Sequence, residues 1–271
     1  MKIPEIGMGT WGMGGKYESD RSNYKESVGV LKTGLELGFR LIDTAQLYGR
    51  GLGEQIVGEA IKDFKREDIF IVSKVWQDNL GYDEVIEAAR GSLKRLGIDY
   101  IDLYLIHWSL ENPPIKNVPL SETMRALEYL ADNGLVQSIG VSDASAAQFK
   151  EAQDNLDHLK LAAGQIRYNL VSREAEKDII PYALKNNIKI IANRPLAKGD
   201  SRVSGNEVIR QLARKYGKTP RQIALNWIIA KGHTPIPMTM NKKHLIENYG
   251  AVGWRLEDGD IELIERTDFS I

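Results

Sequence analysis

Short apolar runs alternate with amphipathic segments along the whole sequence of 271 residues. Most of the runs are continuously apolar, which is typical of parallel strands that are buried on both faces of a sheet. The segments between them repeat apolar residues at helical spacing, so the sequence predicts an α/β fold with a parallel sheet. The eight predicted strands are Ile6–Trp11, Arg40–Thr44, Ile69–Val75, Ile101–His107, Ser138–Ser142, Ala163–Arg167, Ile188–Ala192 and Thr234–Met238.

Signals for helix ends fall between these strands. Ser145 with Gln148, and Ser204 with Glu207, each fit a capping box, in which two side chains bond the free N–H groups of a first turn. Pro220 stands at the first helical position of another segment, where a missing N–H is harmless. Glycines stand where four helices are expected to stop, at Gly38, Gly97, Gly134 and Gly217.

Eight strands, seven intervening helical segments and no long linker predict one (β/α)8 barrel, or TIM barrel, that spans residues 1–271 as a single domain. The active site of such a barrel lies at the C-terminal face of its strands. The alternative fold is a doubly wound sheet, which would place a glycine-rich phosphate loop after the first strand. The stretch "GMGTWGMGG" has glycines without that spacing, and Trp11 would crowd such a loop.

The composition limits the classes of partner. Lys and Arg number 36 against 37 Asp and Glu, for a net charge of -1, whereas nucleic-acid binding requires a basic surplus. No apolar run reaches the roughly 18 residues of a membrane span, and the first residues resemble no signal peptide. We therefore expect a soluble, cytoplasmic protein that acts as a monomer or small homo-oligomer. The absence of cysteine excludes disulfides and thiolate chemistry.

Four polar residues with chemical potential stand at predicted strand ends or in the loop that follows: Asp43, Tyr48, Lys74 and His107. Taken singly, each has an ordinary structural interpretation. Asp43 could cap a helix, and Tyr48 could be a half-buried loop aromatic. Lys74 could extend from the strand end into water, and His107 could be a hydrogen-bonded core histidine.

Together the four residues suggest proton transfer to an oxygen. A tyrosine hydroxyl has a pKa near 10, which a neighbouring cation such as Lys74 lowers. A buried Lys74 needs a counter-charge, which Asp43 can supply. A neutral His107 can donate a hydrogen bond to a carbonyl oxygen. No side chain donates hydride, so these residues imply a nicotinamide cofactor and no metal.

Five segments resemble the signature segments of the aldo-keto reductase family: "GMGTW", "RLIDTAQLYG", "IFIVSKVW", "LGIDYIDLYLIHW" and "SIGVSD". The resemblance places the family's catalytic residues on Asp43, Tyr48, Lys74 and His107. It implies reversible NAD(P)H-dependent reduction of aldehydes or ketones to alcohols, with Tyr48 as the general acid. It also implies that Trp11, Trp76 and Trp108 line the pocket for a small carbonyl or alcohol substrate.

The resemblance further implies a set of cofactor contacts. NADP(H) is the favoured cofactor because most of the family uses it, and NAD(H) is the alternative. The implied contacts are Gly9, Thr10, Trp11, Ser142, Asp143, Gln165, Asn193, Arg194, Pro195, Leu196, Lys198, Met238, Thr239, Lys243, His244, Glu247 and Asn248.

Several of these positions depart from the family pattern. Asp143 stands where the family has the asparagine that holds the nicotinamide carboxamide, and Asn193 replaces an aromatic that stacks on the ring. Met238 and His244 replace a lysine and an arginine that usually bind the 2′-phosphate. Either Lys242 or Lys243 could substitute for them, while Arg194 and Lys198 could contact the other phosphates.

Two further expectations concern the ends of the sequence. Relatives carry a β-hairpin that plugs the barrel bottom before the first strand, and only three residues precede "PEIGMGTW" here, so that hairpin is predicted to be absent or truncated. The stretch after Glu257 is short and polar, which predicts an open pocket.

Two other functions compete with carbonyl reduction. One is a nucleotide-sensing, partner-binding protein on the same fold with little turnover. The other is a metal-dependent hydrolase, which would need clustered ligands that four scattered histidines do not provide. The three histidines other than His107 are predicted to lie at the surface.

Overall fold

In a computed structural model, residues 2–109 and 114–269 are described, and they contain one sheet of eight parallel strands in the order of the chain. Each predicted strand is found, and the sixth has the predicted bounds. The strands are β1 (Met8–Gly9), β2 (Leu41–Asp43), β3 (Phe70–Trp76), β4 (Leu103–His107), β5 (Ile139–Ser142), β6 (Ala163–Arg167), β7 (Lys189–Asn193) and β8 (Thr234–Pro235).

Backbone hydrogen bonds join the last strand to the first and close the sheet into a barrel. Gly7 N–H donates to the Pro235 carbonyl at 3.0 Å, and Gly9 N–H donates to the Pro237 carbonyl at 3.2 Å. Ile236 N–H donates to the Ala192 carbonyl of β7 at 3.1 Å, and β8 itself ends at Pro235, before the predicted Met238. The predicted (β/α)8 barrel is confirmed.

Helices surround the barrel, and two of the three helix starts predicted from the sequence are confirmed, at Ser145 and Pro220. Ser145 accepts from the backbone N–H of Gln148, as predicted. The capping box at Ser204 is wrong, because Asn206 lies next to the helix and accepts from two backbone N–H groups there. The described helices are α1 (Tyr24–Leu37), α2 (Leu52–Ile61), α3 (Tyr82–Leu96), α4 (Leu120–Asp132), α5 (Ala146–Asp154), α6 (Ile179–Lys185), α7 (Ser201–Ser204), α8 (Glu207–Tyr216), α9 (Pro220–Ala230), α10 (Lys242–Tyr249) and α11 (Asp258–Arg266).

Side chains alternate between the inside of the barrel and the helix layer, as the pleat of a strand requires. Along β3, Phe70 and Val72 belong to a cluster inside the barrel, whereas Ile71 and Val75 pack toward the helices. The next inward position is Lys74. Polar residues therefore take the last inward positions, at the C-terminal face of the barrel. The inner cluster comprises Leu41, Phe70, Val72, Leu103, Leu105, Ala163, Ile191 and Ile236.

The opposite end of the barrel is covered by the segment before β1. Ile3 is partly buried and packs against the inner cluster. Thr234 Oγ1 donates to the Pro4 carbonyl at 2.9 Å, which fixes this segment beneath β8. The segment before β1 therefore occupies the end of the barrel that, according to the family resemblance, a β-hairpin plugs in relatives.

The surface prediction for the other histidines holds for His158 and His244 and is wrong for His233. His233 precedes β8 and is only 4% exposed, with its ring 5.5 Å from that of Tyr168. Burial, with the nearby charge of Lys231, lowers the pKa of His233 to about 4. Among the described residues, none of the helices combines the length and apolar character that crossing a membrane would require.

Packing between α2 and α3 depends on a glycine, which gives a stability prediction. A Cβ at Gly58 would lie 2.4 Å from the Leu96 carbonyl oxygen, a backbone atom that cannot move aside. We expect Gly58→Ala to lower the free energy of unfolding by about 1–3 kcal/mol, measured by denaturant titration.

Gly29 on α1 is the matched control, because a Cβ there would meet no atom within 4 Å. Gly29→Ala should raise stability by about 0.5–1 kcal/mol through helix propensity alone. Equal stability of the two variants would mean that α2 and α3 do not approach as described.

Candidate active site

The C-terminal ends of three neighbouring strands bring the predicted catalytic residues together. Asp43 ends β2, Lys74 is the fifth residue of β3, and His107 ends β4. Tyr48 opens a single 3-10 turn after β2. All four are buried, and the Lys74 side chain is completely enclosed. The barrel therefore places in one cluster four residues that span 65 positions of the chain.

Hydrogen bonds organise this cluster around the Lys74 ammonium. Its Nζ donates to Asp43 Oδ1 at 2.7 Å, to the Thr44 carbonyl at 2.8 Å and to Tyr48 Oη at 3.3 Å. An ammonium has three N–H donors, so all of its hydrogen-bonding capacity is used. Because the Tyr48 oxygen accepts from Lys74, its own O–H is left to donate to another group.

A glycine beside Tyr48 determines the backbone conformation of the turn that carries it. Gly49 has φ 55°, in the left-handed region, and a Cβ there would lie 2.1 Å from the Gly14 carbonyl oxygen. Its N–H donates to the Lys16 carbonyl at 2.7 Å. Only glycine allows this approach, which ties the Tyr48 turn to the loop after β1.

Burial sets the charge state of the two groups that face the opening. It raises the pKa of Tyr48 well above its usual value, and the carboxylates of Asp43 and Asp143 add to the rise. Burial, assisted by Lys74, holds the pKa of His107 well below its usual value. Lys74 was expected to lower the Tyr48 pKa; in the structure burial outweighs nearby positive charge. A protonated tyrosine and a neutral imidazole therefore stand side by side.

A cleft of about 610 Å³ opens above the cluster. The three predicted tryptophans, Trp11, Trp76 and Trp108, line it. The ring centroid of Trp11 lies 4.9 Å from that of Tyr48, and the ring centroid of Trp76 lies 5.2 Å from that of His107, both in edge-to-face contact. No described residue beyond His244 lines the cleft, which agrees with the open pocket expected from the sequence.

Most of the predicted cofactor contacts also line this cleft. They are Gly9, Thr10, Trp11, Asp143, Gln165, Asn193, Arg194, Pro195, Leu196, Lys198, Met238, Thr239 and His244.

The remaining predicted contacts lie outside the cleft wall. Ser142 and Asn248 are buried behind it. Lys243 is exposed on α10, and Glu247 is partly buried on the same helix.

Two of the departures from the family pattern contact each other. Asn193 Nδ2 donates to Asp143 Oδ1 at 3.0 Å, joining the ends of β5 and β7. Burial raises the pKa of Asp143, and this hydrogen bond opposes the rise. The predicted contact Gln165 donates to Asp43 Oδ2 at 2.6 Å. The predicted cofactor contacts and the catalytic cluster therefore form one hydrogen-bonded network.

Buried polar atoms without partners test whether a dinucleotide fits. Within the described part of the chain, Ser142 Oγ, His107 Nδ1 and Asn248 Oδ1 make no hydrogen bond. Buried polar groups normally have partners, and of these three residues His107 lines the cleft, so its Nδ1 is the atom among them that a ligand can reach. The side chains of Arg194 and Lys198 line the cleft and form no ion pair with described residues. The residues present fit a nicotinamide dinucleotide.

Several cleft residues were not predicted from the sequence, and three of them carry polar side chains of interest: Tyr17, Arg167 and Arg221. Tyr17 lies 5.4 Å from Trp11, edge to face, in the glycine-rich loop after β1. The period-2 pattern of β6 placed Arg167 inward two residues after Gln165, and that signal could have identified it. Arg221 follows Pro220, where the sequence indicated only the start of a helix. No group of three or more potential metal ligands occurs among the described residues.

Comparison with known proteins places this geometry in a family. The model of the Aldo/keto reductase family matches residues 5–268, and the chain belongs to that family. It is 33% identical over 270 residues to the methylglyoxal reductase YeaE of Escherichia coli, covering 98% of this chain and 91% of that protein. It is also 33% identical over 267 residues to a glyoxal reductase of Bacillus subtilis, covering 98% and 89%.

Solved structures of the family superpose closely. The thermostable aldo-keto reductase Tm1743, in complex with the inhibitor epalrestat, matches with a TM-score of 0.89 and 37% identity, over 97% of this chain and 94% of that one. An aldo-keto reductase from Klebsiella pneumoniae, in complex with NADPH, matches with a TM-score of 0.85 and 30% identity, over 97% and 90%.

The neutrality of His107 can be tested by titration. We expect its ring resonances not to shift between about pH 6 and pH 8, because burial and Lys74 disfavour the imidazolium. His158 is the internal comparison, since its hydrogen bond to Asp132 raises its pKa. The measurement is histidine NMR, with His107→Gln to assign the signal.

The sign of the effect on stability follows. Below about pH 6.5 the unfolded chain protonates His107 and the folded chain does not, so this residue makes stability fall as the solution is acidified. A His107 signal that titrates near pH 6.5 would contradict the description of the site.

Proposed function

We propose that the protein reduces small aldehydes and ketones to alcohols with NADPH, and that Tyr48 is the general acid. The observation that carries the proposal is the position of the Tyr48 hydroxyl, which accepts from Lys74 Nζ at 3.3 Å on a residue that lines the cleft, so that its own O–H can donate to a substrate. Family membership and the NADPH complex of the Klebsiella pneumoniae relative support the cofactor. Two-carbon and three-carbon dicarbonyls are the first substrates to test, because the relatives include methylglyoxal and glyoxal reductases.

Each residue of the cluster has a defined task in this proposal. The neutral imidazole of His107 donates a hydrogen bond to the substrate carbonyl oxygen and orients it. Tyr48 gives its proton to that oxygen as negative charge develops there. Lys74 then donates to the phenolate left on Tyr48, which opposes the burial that raises the tyrosine pKa. Asp43 keeps the Lys74 ammonium charged and in place.

The end of the cleft beside the cluster has groups that suit a nicotinamide. When bound, the nicotinamide supplies the hydride. The Asp143 oxygen that Asn193 does not contact can accept from the carboxamide nitrogen. Gln165 donates one N–H to Asp43, and its side-chain oxygen remains able to accept a hydrogen bond. Arg194 and Lys198 provide positive charge for the pyrophosphate.

Aromatic walls define the substrate end of the cleft. Trp11, Trp76 and Trp108 exclude water from the Tyr48 hydroxyl and offer apolar surface to a substrate. An open, apolar cleft of this kind favours broad acceptance of small carbonyl compounds.

Removal of the Tyr48 hydroxyl tests the proposal directly. Tyr48→Phe keeps the ring that packs against Trp11, so we expect NADPH binding to persist while kcat for methylglyoxal falls by about 10²–10⁴. Binding is followed by tryptophan fluorescence and reduction by NADPH absorbance.

Tyr24→Phe on α1 is the control, because it removes a tyrosine hydroxyl away from the cleft. If Tyr48→Phe reduces methylglyoxal at the unmodified rate, Tyr48 is not the acid. If the unmodified protein binds NADPH but reduces no carbonyl in a panel of aldehydes and ketones, a nucleotide-sensing role replaces reduction.

A further inference from the structure

Met238 and His244 stand in the cleft wall at positions where the family pattern has cations, a lysine and an arginine. Lys243 was expected to substitute, but its side chain is exposed and does not line the cleft. A phosphate on the adenosine ribose would therefore need a cation from another element.

Arg221 is a cation that lines this part of the cleft, together with Met238, Thr239 and His244. It comes from α9 and not from α10, whose residues the family pattern uses. Its Nε lies 3.0 Å from Glu247 Oε2, and both side chains are about a quarter exposed, 29% and 25%. Arg221 is therefore held in place and still reachable from solvent.

Neighbouring residues fix the direction of Arg221. Thr219 caps α9 and Pro220 occupies its first position, with Gln222 completing the capping box. Gln222 Nε2 also donates to the Glu247 carbonyl at 3.0 Å, which ties α9 to α10. The first turn of α9 is thus rigid, and Arg221 is presented with little loss of side-chain freedom on binding.

The geometry points to Arg221 as the residue that recognises the 2′-phosphate of NADPH and discriminates it from NADH. Glu247 Oε2 approaches the guanidinium at its Nε, and no hydrogen bond found among the described residues uses the two terminal nitrogens. A planar guanidinium binds a phosphate through two parallel hydrogen bonds, which matches that free edge. This inference rests on the proposed function and adds to it the origin of cofactor preference.

Glu247 tunes the preference in the opposite direction. Its carboxylate holds Arg221 from behind the cleft wall and competes with the phosphate for the guanidinium. Removing the Arg221 guanidinium should shift selectivity toward NADH, and removing the charge of Glu247 should shift it toward NADPH.

The experiment measures nucleotide affinity by tryptophan fluorescence, with calorimetry as a check. We expect Arg221→Met to weaken NADPH binding about 10- to 100-fold and to change NADH binding by less than about twofold. Arg221→Lys should restore part of the loss, because lysine supplies charge without the planar edge. Adenosine 2′,5′-bisphosphate and AMP should reproduce the contrast without the nicotinamide. Glu247→Gln should raise the ratio of NADPH to NADH affinity.

Arg214→Met is the matched control. Arg214 pairs with Glu207 at 2.8 Å on α8, so the variant loses the same charge and the same kind of ion pair away from the cleft. Its nucleotide affinities should be unchanged, and far-UV circular dichroism verifies that every variant is folded.

The outcomes separate the two proposals. Arg221→Met protein that binds NADPH as tightly as the unmodified protein, or that loses both nucleotides equally, overturns the role of Arg221 alone. An unmodified protein that binds neither nucleotide overturns the proposed function as well.

Discussion

The Lys74 ammonium is the charge around which the active end of the barrel is built. Burial of an isolated ion costs several kcal/mol, so a lysine with no exposed side-chain surface requires complete compensation. Three oxygens provide it: the Asp43 carboxylate, the Thr44 carbonyl and the Tyr48 hydroxyl. Because they come from β2 and its loop while Lys74 comes from β3, this one interaction fixes strand register and tyrosine position together. Loss of any one partner would leave a donor of the ammonium unsatisfied.

The fold was predictable because its determinants are local. The apolar runs that become strands, and the polar residues at their ends such as Lys74 in β3, are adjacent in the sequence. Errors occurred where a neighbour competed or where the environment came from distant segments. Asn206 displaced the predicted capping box because it lies nearer the helix start. His233 was predicted exposed because no short-range signal marks the packing of Tyr168 against it.

The same contrast between local signals and contacts from distant segments applies to the candidate site. The four catalytic residues were predicted from strand ends and family resemblance, and the barrel gathers them as expected. The bond from Asn193 to Asp143 spans 50 residues and depends on side-chain directions that no sequence pattern encodes. Arg221 was not predicted as a cleft residue, because the sequence around Pro220 indicates only where a helix begins. Long-range pairs between side chains are what a single sequence cannot supply.

These pairs change how the departures from the family pattern should be understood. Taken alone, Asp143 loses a donor and Asn193 loses a stacking ring, and each suggests weaker hold on a nicotinamide. Joined by a hydrogen bond, they leave one Asp143 oxygen free as a fixed acceptor. The cleft meanwhile carries cations on Arg194 and Arg221. In the proposed function, binding strength therefore moves from the nicotinamide ring toward the phosphates, and Tyr48 remains unaffected because Lys74 holds its hydroxyl independently of the nucleotide.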